Sequence, residues 1–395
     1  MFNKQQLQAI TCRDRFIFVN AGAGSGKTTV MIARINTLLS EGVLEHQILG
    51  LTFSKQASEQ MKHRLDNENV LISTFHSFCY QYLKEKDIAK DVHAFHQDFL
   101  LKVSLYKNKL TKKPFGYNRY QTYLKRNNMI DFDDMLIEFL KLNVFPKFEH
   151  ILIDEFQDTN YLQIQVLSKL ISQTTNVFVV GDPDQSIYHF RGAMPSVIHR
   201  FITQYQASVL TLDMNYRSDM NIINIANTLI KYNNNRIEKT LKSHSKNKGH
   251  VEIRICNNQT NQIVFILELI NNLRYKSFAI LSRTNQHLFD LKVNIHEKIP
   301  MFLQNKIKLL TLHESKGLEF DVVCMIGIDE KTLPHYLSVS KESIDEERRL
   351  FYVGLTRAKH KLYLIHHKRN HLNKNVKLSK FMLEISQNQQ FKAIK

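Results

Sequence analysis

The sequence predicts an α/β protein with two domains, each organised around a doubly wound sheet of parallel strands. The first observation behind this prediction is a short apolar run at 16–19, followed by a glycine-rich turn and by apolar residues at helical spacing over 29–39. The second is that further apolar runs alternate with helical segments, which is typical of parallel sheets buried on both faces. The third is the length of 395 residues, which exceeds what one hydrophobic core usually serves.

The strands of both domains are predicted from short, continuous apolar runs. In the first domain these runs lie at 16–19, 48–52, 70–73, 150–153 and 177–180, with a helical segment at 57–65. A second series of runs begins near Val209 and has no glycine-rich turn of its own. It predicts further strands at 251–255, 278–281, 307–310, 322–326 and 362–365. We therefore assign the second domain to 209–395.

Residues 85–130 differ in character from the sequence on either side and predict a small, mostly helical insertion. Basic side chains are interleaved there with aromatic ones, namely Lys107, Lys109, Lys112, Lys113, Arg119, Lys125 and Arg126 with Tyr106, Phe115, Tyr117, Tyr120 and Tyr123. This pattern predicts one basic-aromatic face on the insertion. The first domain is accordingly assigned to 1–84 and 131–208, on both sides of it.

The composition excludes several classes of protein and favours a nucleic-acid partner. No apolar stretch reaches the ~18 residues of a membrane span, and the N-terminus lacks the basic and apolar regions of a secretory signal. The four cysteines are scattered, which argues against a zinc or iron–sulfur site and suits reduced thiols. The net charge of +17 suits a phosphate backbone, although a solvated basic surface is the alternative. We therefore expect a cytoplasmic protein with no membrane partner.

The glycine-rich turn has the composition of a phosphate-binding loop. It reads Ala21-Gly22-Ala23-Gly24-Ser25-Gly26-Lys27-Thr28 and is followed by Thr29. Glycines allow backbone N–H groups to converge on phosphate oxygens, and the N-terminus of the following helix adds the positive end of its dipole. Lys27 is expected to reach the β- and γ-phosphates, and the Thr28 hydroxyl is expected to ligate Mg²⁺. The alternative is a turn with an incidental lysine, but the flanking strand and helix favour a nucleoside triphosphate site.

Two later apolar runs each end in polar residues suited to phosphate chemistry. Asp154 and Glu155 follow the run 150–153, where Asp154 would hold Mg²⁺ and Glu155 would polarise the attacking water. The alternative for such a pair is a helix N-cap or a surface turn. Gln185 follows the run 177–180 within Gly181-Asp182-Pro183-Asp184-Gln185, whose aspartates could be turn formers. Gln185 itself would lie beside the γ-phosphate.

These two segments, 154–160 and 181–188, resemble motifs II and III of the superfamily 1A helicases, the UvrD/Rep/PcrA group. Other segments resemble further motifs in the family's order, with the Q motif at 2–6, two blocks at 74–77 and 131–134, motif IV at 215–218, motif V at 311–320 and motif VI at 346–358. The resemblance runs from residue 2 to about residue 365. It implies two RecA-like P-loop domains, with the insertion as a reduced 1B-like subdomain.

The function that this resemblance implies is an ATP- and Mg²⁺-dependent 3′→5′ DNA helicase or single-stranded DNA translocase. Its nucleic-acid partners would be single-stranded DNA and junctions between single and double strands. The alternative is an ATPase motor subunit of a DNA-repair or phage-defence complex, in which a separate nuclease is the partner and the motor does not unwind on its own. RNA as the substrate is disfavoured by the family resemblance alone.

The resemblance also implies roles for residues around the nucleotide. Gln6 would read adenine, Tyr216 would stack on it, and Glu319 would contact the ribose. Arg217 and Arg357 would be two arginine fingers acting on the γ-phosphate, although either one alone could be a surface ion pair. The remaining nucleotide-binding set is Ala21, Gly22, Ala23, Gly24, Ser25, Gly26, Lys27, Thr28 and Thr29. ATP binding would then draw the two domains together, and hydrolysis would release them.

A single strand needs π-faces for its bases and cations along its backbone. Tyr188, Phe190 and Arg191 directly follow Gln185 and could supply both, with a place in the hydrophobic core as the alternative for the two aromatic rings. Further DNA contacts are implied at Phe53, His76 and His313, of which His313 could instead only orient motif V. The family usually has Trp where this chain has Phe190, so stacking there is expected to be weaker.

Three departures distinguish this chain from the family pattern. The segment 52–58 differs from the usual motif Ia, and the insertion at 85–130 is short for a 1B subdomain. Only residues 286–306 separate the Arg283-Thr284-Asn285 segment from motif V, where the family normally has its large 2B subdomain. We therefore predict that 2B is absent.

Overall fold

The computed structural model describes residues 2–92, 97–194, 196–234, 236–272, 275–295, 298–299, 304–370 and 372–386. The chain divides into two compact units. The first consists of residues 1–21 and 26–212, and the second of residues 22–25 and 213–395. Across the described ranges, no helix is both long and apolar enough to cross a membrane.

The first unit is built on a parallel sheet. Its strands are β1 (Phe16–Ala21), β2 (Ile48–Thr52), β3 (Leu71–Thr74), β4 (Asp91–Val92), β5 (Met129–Ile130), β6 (His150–Ile153), β7 (Asn176–Gly181) and β8 (Ser208–Leu212). Within the described residues the main sheet has the order β3-β2-β6-β7-β1-β8, and β4 pairs with β5 apart from it. Neighbouring strands are parallel throughout, so their carboxyl ends lie along one edge.

The helices of the first unit follow the strands in alternation. They are α1 (Lys4–Thr11), α2 (Lys27–Ser40), α3 (Lys55–Leu65), α4 (Phe75–Glu85), α5 (Gln97–Lys107), α6 (Tyr117–Arg126), α7 (Phe132–Leu140), α8 (Tyr161–Leu170) and α9 (Val197–Tyr205). Single 3₁₀ turns lie at Glu45–Gln47, Phe156–Asp158, Pro183–Gln185 and His189–Arg191. On one face of the sheet, α2 buries Val30, Met31 and Ile35 against Ile17 and Val19 of β1. The apolar face of α2 therefore packs against β1, and this packing holds in place the helix that begins directly after the glycine-rich turn.

The predicted α/β class and the parallel arrangement of the strands are confirmed. The predicted start of the second domain near Val209 differs from the structure, because residues 208–212 form β8 and pair with β1, with Val209 opposite Phe18. The second unit begins at Asp213. The apolar pattern identifies a strand, but which sheet the strand joins depends on a pairing with residues far away in sequence.

The insertion has a small core of its own, and that core changes the predicted basic-aromatic face. Val103, Tyr120 and Leu124 are buried between α5 and α6. Lys107 is also buried, and its Nζ lies 2.6 Å from one carboxylate oxygen each of Asp131 and Asp134. The Tyr120 hydroxyl donates to Asp131 as well, at 2.9 Å. Lys107 and Tyr120 are therefore buried anchors of the insertion. The sequence pattern placed both of them on the exposed basic-aromatic face, and for these two residues that prediction is wrong.

Replacing Lys107 by Met is expected to lower the free energy of unfolding by about 3–5 kcal/mol, because two buried carboxylates lose their shared cation. Burial alone would lower the pKa of Lys107, but the two carboxylates raise it above its usual value, so the ammonium is charged. Urea unfolding of the variant measures the loss. The exposed Lys112→Met is the matched control and is expected to change stability by less than about 0.5 kcal/mol.

The second unit is built on another parallel sheet. Its strands are β9 (Met214–Asn215), β10 (Lys242–Ser243), β11 (His250–Asn258), β12 (Phe278–Ser282), β13 (Ile307–Thr311), β14 (Phe320–Ile326) and β15 (Ala358–Arg369). In the described part of this unit the main sheet has the order β11-β15-β14-β12-β13, and β9 pairs with β10. Its helices are α10 (Met220–Ile230), α11 (Gln259–Asn271), α12 (Asn285–Ile295), α13 (Lys341–Leu355) and α14 (Lys380–Ser386).

The core of the second unit lies between the sheet and two of these helices. Ile266 and Ile270 of α11, together with Leu291 of α12, pack against Phe278 and Cys324. The strands predicted from apolar runs in this part of the chain are all present. The segment where 2B was predicted to be absent runs from α12 to β13, and residues 296–297 and 300–303 of it lie outside the described residues.

Candidate functional site

The glycine-rich turn joins the carboxyl end of β1 to the first turn of α2. Gly24 and Gly26 adopt φ angles of +63° and +84°, a region that residues with a β-carbon rarely enter. Gly26 is the N-cap of α2 and contributes no side-chain cap. The backbone N–H groups of the first helical turn can therefore face an anion, which the helix dipole also favours.

Within the second unit, Asn215 and Tyr216 hold the loop residues 22–25. The Asn215 Nδ2 donates to the Ala23 carbonyl at 2.7 Å, and the Tyr216 N–H donates to the Gly24 carbonyl at 2.9 Å. A β-carbon on Gly24 would lie 2.6 Å from Asn215 Nδ2, so the close approach of Asn215 to the loop requires glycine at position 24. Asn215 is fully buried and also accepts from the Arg217 N–H. The sequence analysis missed this role, for which the only signal was the position of Asn215 next to Tyr216.

The predicted magnesium ligands lie together in the first unit. The Thr28 hydroxyl donates to Asp154 Oδ2 at 3.2 Å. Burial, reinforced by the charge of Glu155, raises the pKa of Asp154 to about 6, and Lys27 opposes this rise. A hydroxyl and one carboxylate suit Mg²⁺, which takes its remaining ligands from phosphate oxygens and water. These residues therefore fit the predicted metal.

The candidate general base, Glu155, lies beside the phosphate-loop lysine. Its Oε1 is 3.7 Å from Lys27 Nζ, and its side chain is about one quarter exposed. Glu155 has a φ of +51°, which is uncommon for a residue with a side chain and often found at functional sites.

Gln157 joins Glu155 to the segment that follows β7. Its Nε2 donates to Glu155, and its Oε1 accepts from the Asp182 N–H at 2.9 Å. Gln185 in turn donates from Nε2 to the Asp182 carboxylate. A β-carbon on Gly181 would lie 2.7 Å from Gln157 Oε1, so a side chain at position 181 would displace this amide oxygen. Gln157 is a functional candidate that the sequence analysis missed, since a lone glutamine after an acidic pair carries no distinctive signal.

The aromatic residues predicted to bind DNA form one group at the same edge of the first unit. The rings of Phe53 and Tyr188 stack with centroids 5.3 Å apart and an interplanar angle of 10°. Phe190 lies 6.2 Å from Tyr188, and the Arg191 guanidinium lies over both rings at 5.3 and 5.5 Å. Phe53 and Phe190 are exposed, and Tyr188 is half-buried. The alternative of a core position therefore fails for Phe190.

His76 occupies the first turn of α4 and is partly buried. Its ring meets that of Phe132 edge-on at 6.1 Å. Burial lowers the pKa of His76 to about 4, although the charge of Asp131 opposes this shift. The imidazole is therefore neutral at pH 7. Any contact that His76 makes with DNA is a hydrogen bond or a ring contact and not an ion pair with phosphate.

The lowered pKa of His76 predicts a pH dependence of stability. Because the unfolded histidine takes up a proton near pH 6.5 and the folded one only near pH 4, stability should fall as the pH drops through this window. Urea unfolding at pH 7, 5.5 and 4.5 measures this, and His76→Gln should show a smaller fall than the unmodified chain. The exposed His63→Gln is the matched control. Equal pH profiles for the unmodified chain and His76→Gln would contradict the prediction.

The two predicted arginine fingers lie together in the second unit. Arg217 donates from Nε to Glu319 at 2.8 Å and from Nη1 to the Thr356 carbonyl at 3.2 Å. Arg357 is buried and donates to the Leu318 and Val353 carbonyls at 3.0 and 2.9 Å. Both arginines are thus held by the backbone around Thr356.

Glu319 receives a second cation from Lys359, at 2.7 Å. Burial would raise the pKa of Glu319, but hydrogen bonds and charges from Lys359 and Arg217 lower it to about 2. Tyr216 is exposed, with its ring 4.9 Å from that of His244. His313 lies in the turn after β13, and its carbonyl accepts from the Lys316 N–H.

Gln6 has a structural role at the predicted adenine end of the site. It is buried in α1, and its Oε1 accepts from the Asn3 N–H at 3.1 Å as half of a capping box. Its Nε2 would lie 3.0 Å from a β-carbon on Gly26. The amide therefore lies against the phosphate-loop turn, and its predicted contact with adenine stays a prediction.

Two family models match the chain in succession. The UvrD/REP helicase N-terminal domain matches residues 2–115 and 106–206, and the UvrD-like helicase C-terminal domain matches residues 210–303 and 291–369. Among curated relatives, a probable DNA helicase of Mycoplasma pneumoniae is 32% identical over 92% of this chain and 83% of its own length.

Two other relatives are longer than this chain. A probable DNA helicase II homolog of Mycoplasma capricolum is 31% identical over 78% of this chain and 52% of its own length. The ATP-dependent DNA helicase PcrA of Staphylococcus aureus is 32% identical over 72% of this chain and 48% of its own length. The chain thus spans about half the length of these two relatives. The two domain matches and the identity shared with the Mycoplasma pneumoniae helicase show that the chain belongs to the UvrD-like DNA helicase family.

Proposed function

We propose that this chain is an ATP-dependent motor that moves 3′→5′ along single-stranded DNA and opens duplex at junctions. The observation that carries the proposal is the continuous set of contacts from Glu155 through Gln157 and Asp182 to Gln185. Gln185 lies three residues before Tyr188, which stacks on Phe53. Gln185, which would respond to the γ-phosphate, is thereby connected to the rings of Tyr188 and Phe53, on which bases would stack.

For hydrolysis, the chain supplies binding groups on the phosphates and a base for water. Thr28 and Asp154 would hold Mg²⁺, which would neutralise charge on the phosphates. Lys27 contributes a further positive charge, and its position near Glu155 orients that carboxylate. Glu155 accepts a proton from the attacking water, while the amide of Gln157 fixes the orientation of the carboxylate.

Arg217 and Arg357 stabilise the charge that develops on the γ-phosphate. The contacts of Asn215 and Tyr216 with Ala23 and Gly24 support this role for Arg217, because they place its backbone next to the loop residues 22–25. Glu319 orients the Arg217 guanidinium through a 2.8 Å hydrogen bond. Guanidinium groups match phosphate oxygens in geometry and keep their charge at all physiological pH values.

On the DNA side, Phe53, Tyr188 and Phe190 offer rings on which unpaired bases stack, and Arg191 adds a cation. The rings of Phe53 and Phe190 and the Arg191 guanidinium each lie within 6.2 Å of the Tyr188 ring, an arrangement that suits a strand without sequence preference. His76 and His313 are proposed as further contacts on this strand.

A strand-displacement assay with 3′-tailed and 5′-tailed duplexes tests the proposal. Displacement of the 3′-tailed duplex alone, dependent on ATP, is the expected result. Displacement from 5′ tails alone would overturn the proposed polarity. ATP hydrolysis that single strands stimulate, without displacement from either tail, would instead favour a motor subunit whose partner completes the unwinding.

A further inference from the structure

We propose that Asp219 is a positioning residue for ATP hydrolysis, which acts by holding Arg217 in place. Asp219 lies two residues after Arg217 and directly before α10. It lies just beyond the motif IV segment 215–218, and the sequence analysis assigned it no role. The inference rests on the proposed function, because it requires that Arg217 acts on the γ-phosphate.

Asp219 belongs to a segment that is held against the start of β15. The Ser218 hydroxyl donates to the Ala358 carbonyl at 2.6 Å, and the Asp219 N–H donates to the Lys359 carbonyl at 2.9 Å. These two hydrogen bonds set the register between the chain that directly follows Arg217 and the first residues of β15. The carboxylate of Asp219 is therefore delivered to a fixed position.

The carboxylate of Asp219 joins two further segments of the second unit. Its Oδ1 accepts from the Ser245 hydroxyl at 2.6 Å, and its Oδ2 accepts from His360 Nδ1 at 3.0 Å. The Asp219 side chain is only 6% exposed. The His360 ring in turn stacks on Tyr275, with centroids 5.9 Å apart and an interplanar angle of 25°. The imidazole that contacts Asp219 is therefore itself held in one orientation.

Helix capping does not account for this carboxylate. Asp219 occupies the N-cap position of α10, where an aspartate usually accepts from the backbone N–H groups of the first helical turn. Its side chain makes no such hydrogen bond, and its two oxygens bind Ser245 and His360 instead. The carboxylate therefore connects segments of the chain and does not stabilise the start of the helix.

The loop 243–249 leaves Asp219 little room to move. A β-carbon on Gly249 would lie 2.6 Å from Asp219 Cβ, and Gly249 has a φ of +72°, so the loop closes onto Asp219 only with glycine at position 249. At the other end of the loop, the Ser243 hydroxyl donates to the Ser218 carbonyl at 2.7 Å. Asp219 is therefore enclosed between this loop and β15.

The position of Asp219 bears directly on Arg217. The Asn215 side-chain oxygen accepts from the Arg217 N–H at 3.0 Å and from the Ser218 N–H at 2.7 Å. Residues 215–218 thus form one tight turn that ends at Asp219. Loss of the carboxylate contacts releases the end of this turn, and Arg217 moves with it. A displacement of about 1 Å at a catalytic group can lower the rate about 10²-fold.

Steady-state ATP hydrolysis with saturating single-stranded DNA tests the inference. In Asp219→Ala we expect kcat to fall about 10²-fold while KM for ATP changes little, because Arg217 acts on charge that develops in the transition state. Asp219→Asn keeps the size of the side chain and an acceptor oxygen, so it should recover most of the loss. The matched control is Asn258→Ala, which removes the side-chain cap of α11 at the other end of β11. It should lower the urea midpoint of unfolding and leave kcat unchanged.

A double variant separates positioning from a general loss of structure. Because Asp219 acts through Arg217, Asp219→Ala should have no further effect on kcat in an Arg217→Ala background, where single-turnover hydrolysis measures the slow rates. His360→Ala removes one partner of Asp219 at a side chain that is 41% exposed, so it keeps the core intact. It should lower kcat severalfold in the unmodified background and not in Arg217→Ala, and it decides the matter if Asp219→Ala does not fold.

Unchanged kcat in Asp219→Ala, or losses that multiply in the double variant, would overturn the inference. If Arg217→Ala hydrolyses ATP at the unmodified rate, the role of Arg217 in the proposed function fails. If Arg217→Ala lowers kcat and neither Asp219→Ala nor His360→Ala does, only the role of Asp219 fails.

Discussion

Glu155→Gln is expected to lower the rate of ATP hydrolysis by about 10²–10⁴-fold, because it removes the general base while keeping the shape of the side chain. Binding of Mg²⁺ and nucleotide should persist, since Thr28 and Asp154 are unchanged. The amide can still contact Gln157, so the turn after β6 should keep its geometry. Steady-state hydrolysis with saturating single-stranded DNA, together with nucleotide binding by fluorescence, separates the two effects.

Glu149→Gln is the matched control for this experiment. Glu149 precedes β6 at the opposite end of the strand from Glu155, so the same chemical change is made far from the site. We expect hydrolysis at the unmodified rate in Glu149→Gln. A Glu155→Gln variant that hydrolyses ATP as fast as Glu149→Gln would show that another group is the base.

Arg217→Ala is expected to lower kcat for ATP hydrolysis by about 10³–10⁵-fold, the range over which an arginine finger acts. We expect kcat to fall while KM changes little, because the guanidinium acts on charge that appears in the transition state. Arg217→Lys keeps a charge but not the paired donors that reach Glu319 and the Thr356 carbonyl. It should therefore recover only a small part of the activity.

The variant Lys359→Ala tests whether Arg217 acts on phosphate as an arginine finger or only forms a structural ion pair with Glu319. Lys359 is the other cation on Glu319, at 2.7 Å, and its removal leaves Arg217 in place. If Arg217 acts on phosphate, Lys359→Ala should keep hydrolysis within a few-fold of the unmodified chain. A loss of equal size in Arg217→Ala and Lys359→Ala would assign the effect to Glu319 and contradict the proposed role.

Much of the fold follows from local sequence pattern. The apolar runs at 150–153 and 177–180 predict β6 and β7 closely, because strands buried on both faces are continuously apolar. The predicted phosphate loop is equally clear in the sequence, since its glycines, lysine and threonine each suit a separate proposed role. Asp154 and Glu155 follow from the loop, because parallel strands bring their carboxyl ends to the same edge.

Other features depend on contacts that no local pattern encodes. The strand at 208–212 is apolar like those of the second domain, yet it pairs with β1 of the first. Lys107 resembles the other lysines of the insertion in sequence, and only the distant Asp131 and Asp134 reveal that it is buried. Asn215 hydrogen-bonds to backbone groups through its side-chain amide, and Gln157 bonds to the Asp182 N–H and to the Glu155 carboxylate. In a single sequence, amides with such roles look the same as surface amides.

The measurement that tests the central claim most directly is ATP hydrolysis with and without single-stranded DNA, for the unmodified chain and for Lys27→Ala. The DNA-driven motor proposed here predicts hydrolysis that rises severalfold with single-stranded DNA in the unmodified chain. It also predicts hydrolysis at background level in Lys27→Ala under both conditions, because the charge that Lys27 places on the phosphates is lost. Equal rates in the two proteins, or hydrolysis in the unmodified chain that DNA does not change, would contradict the claim.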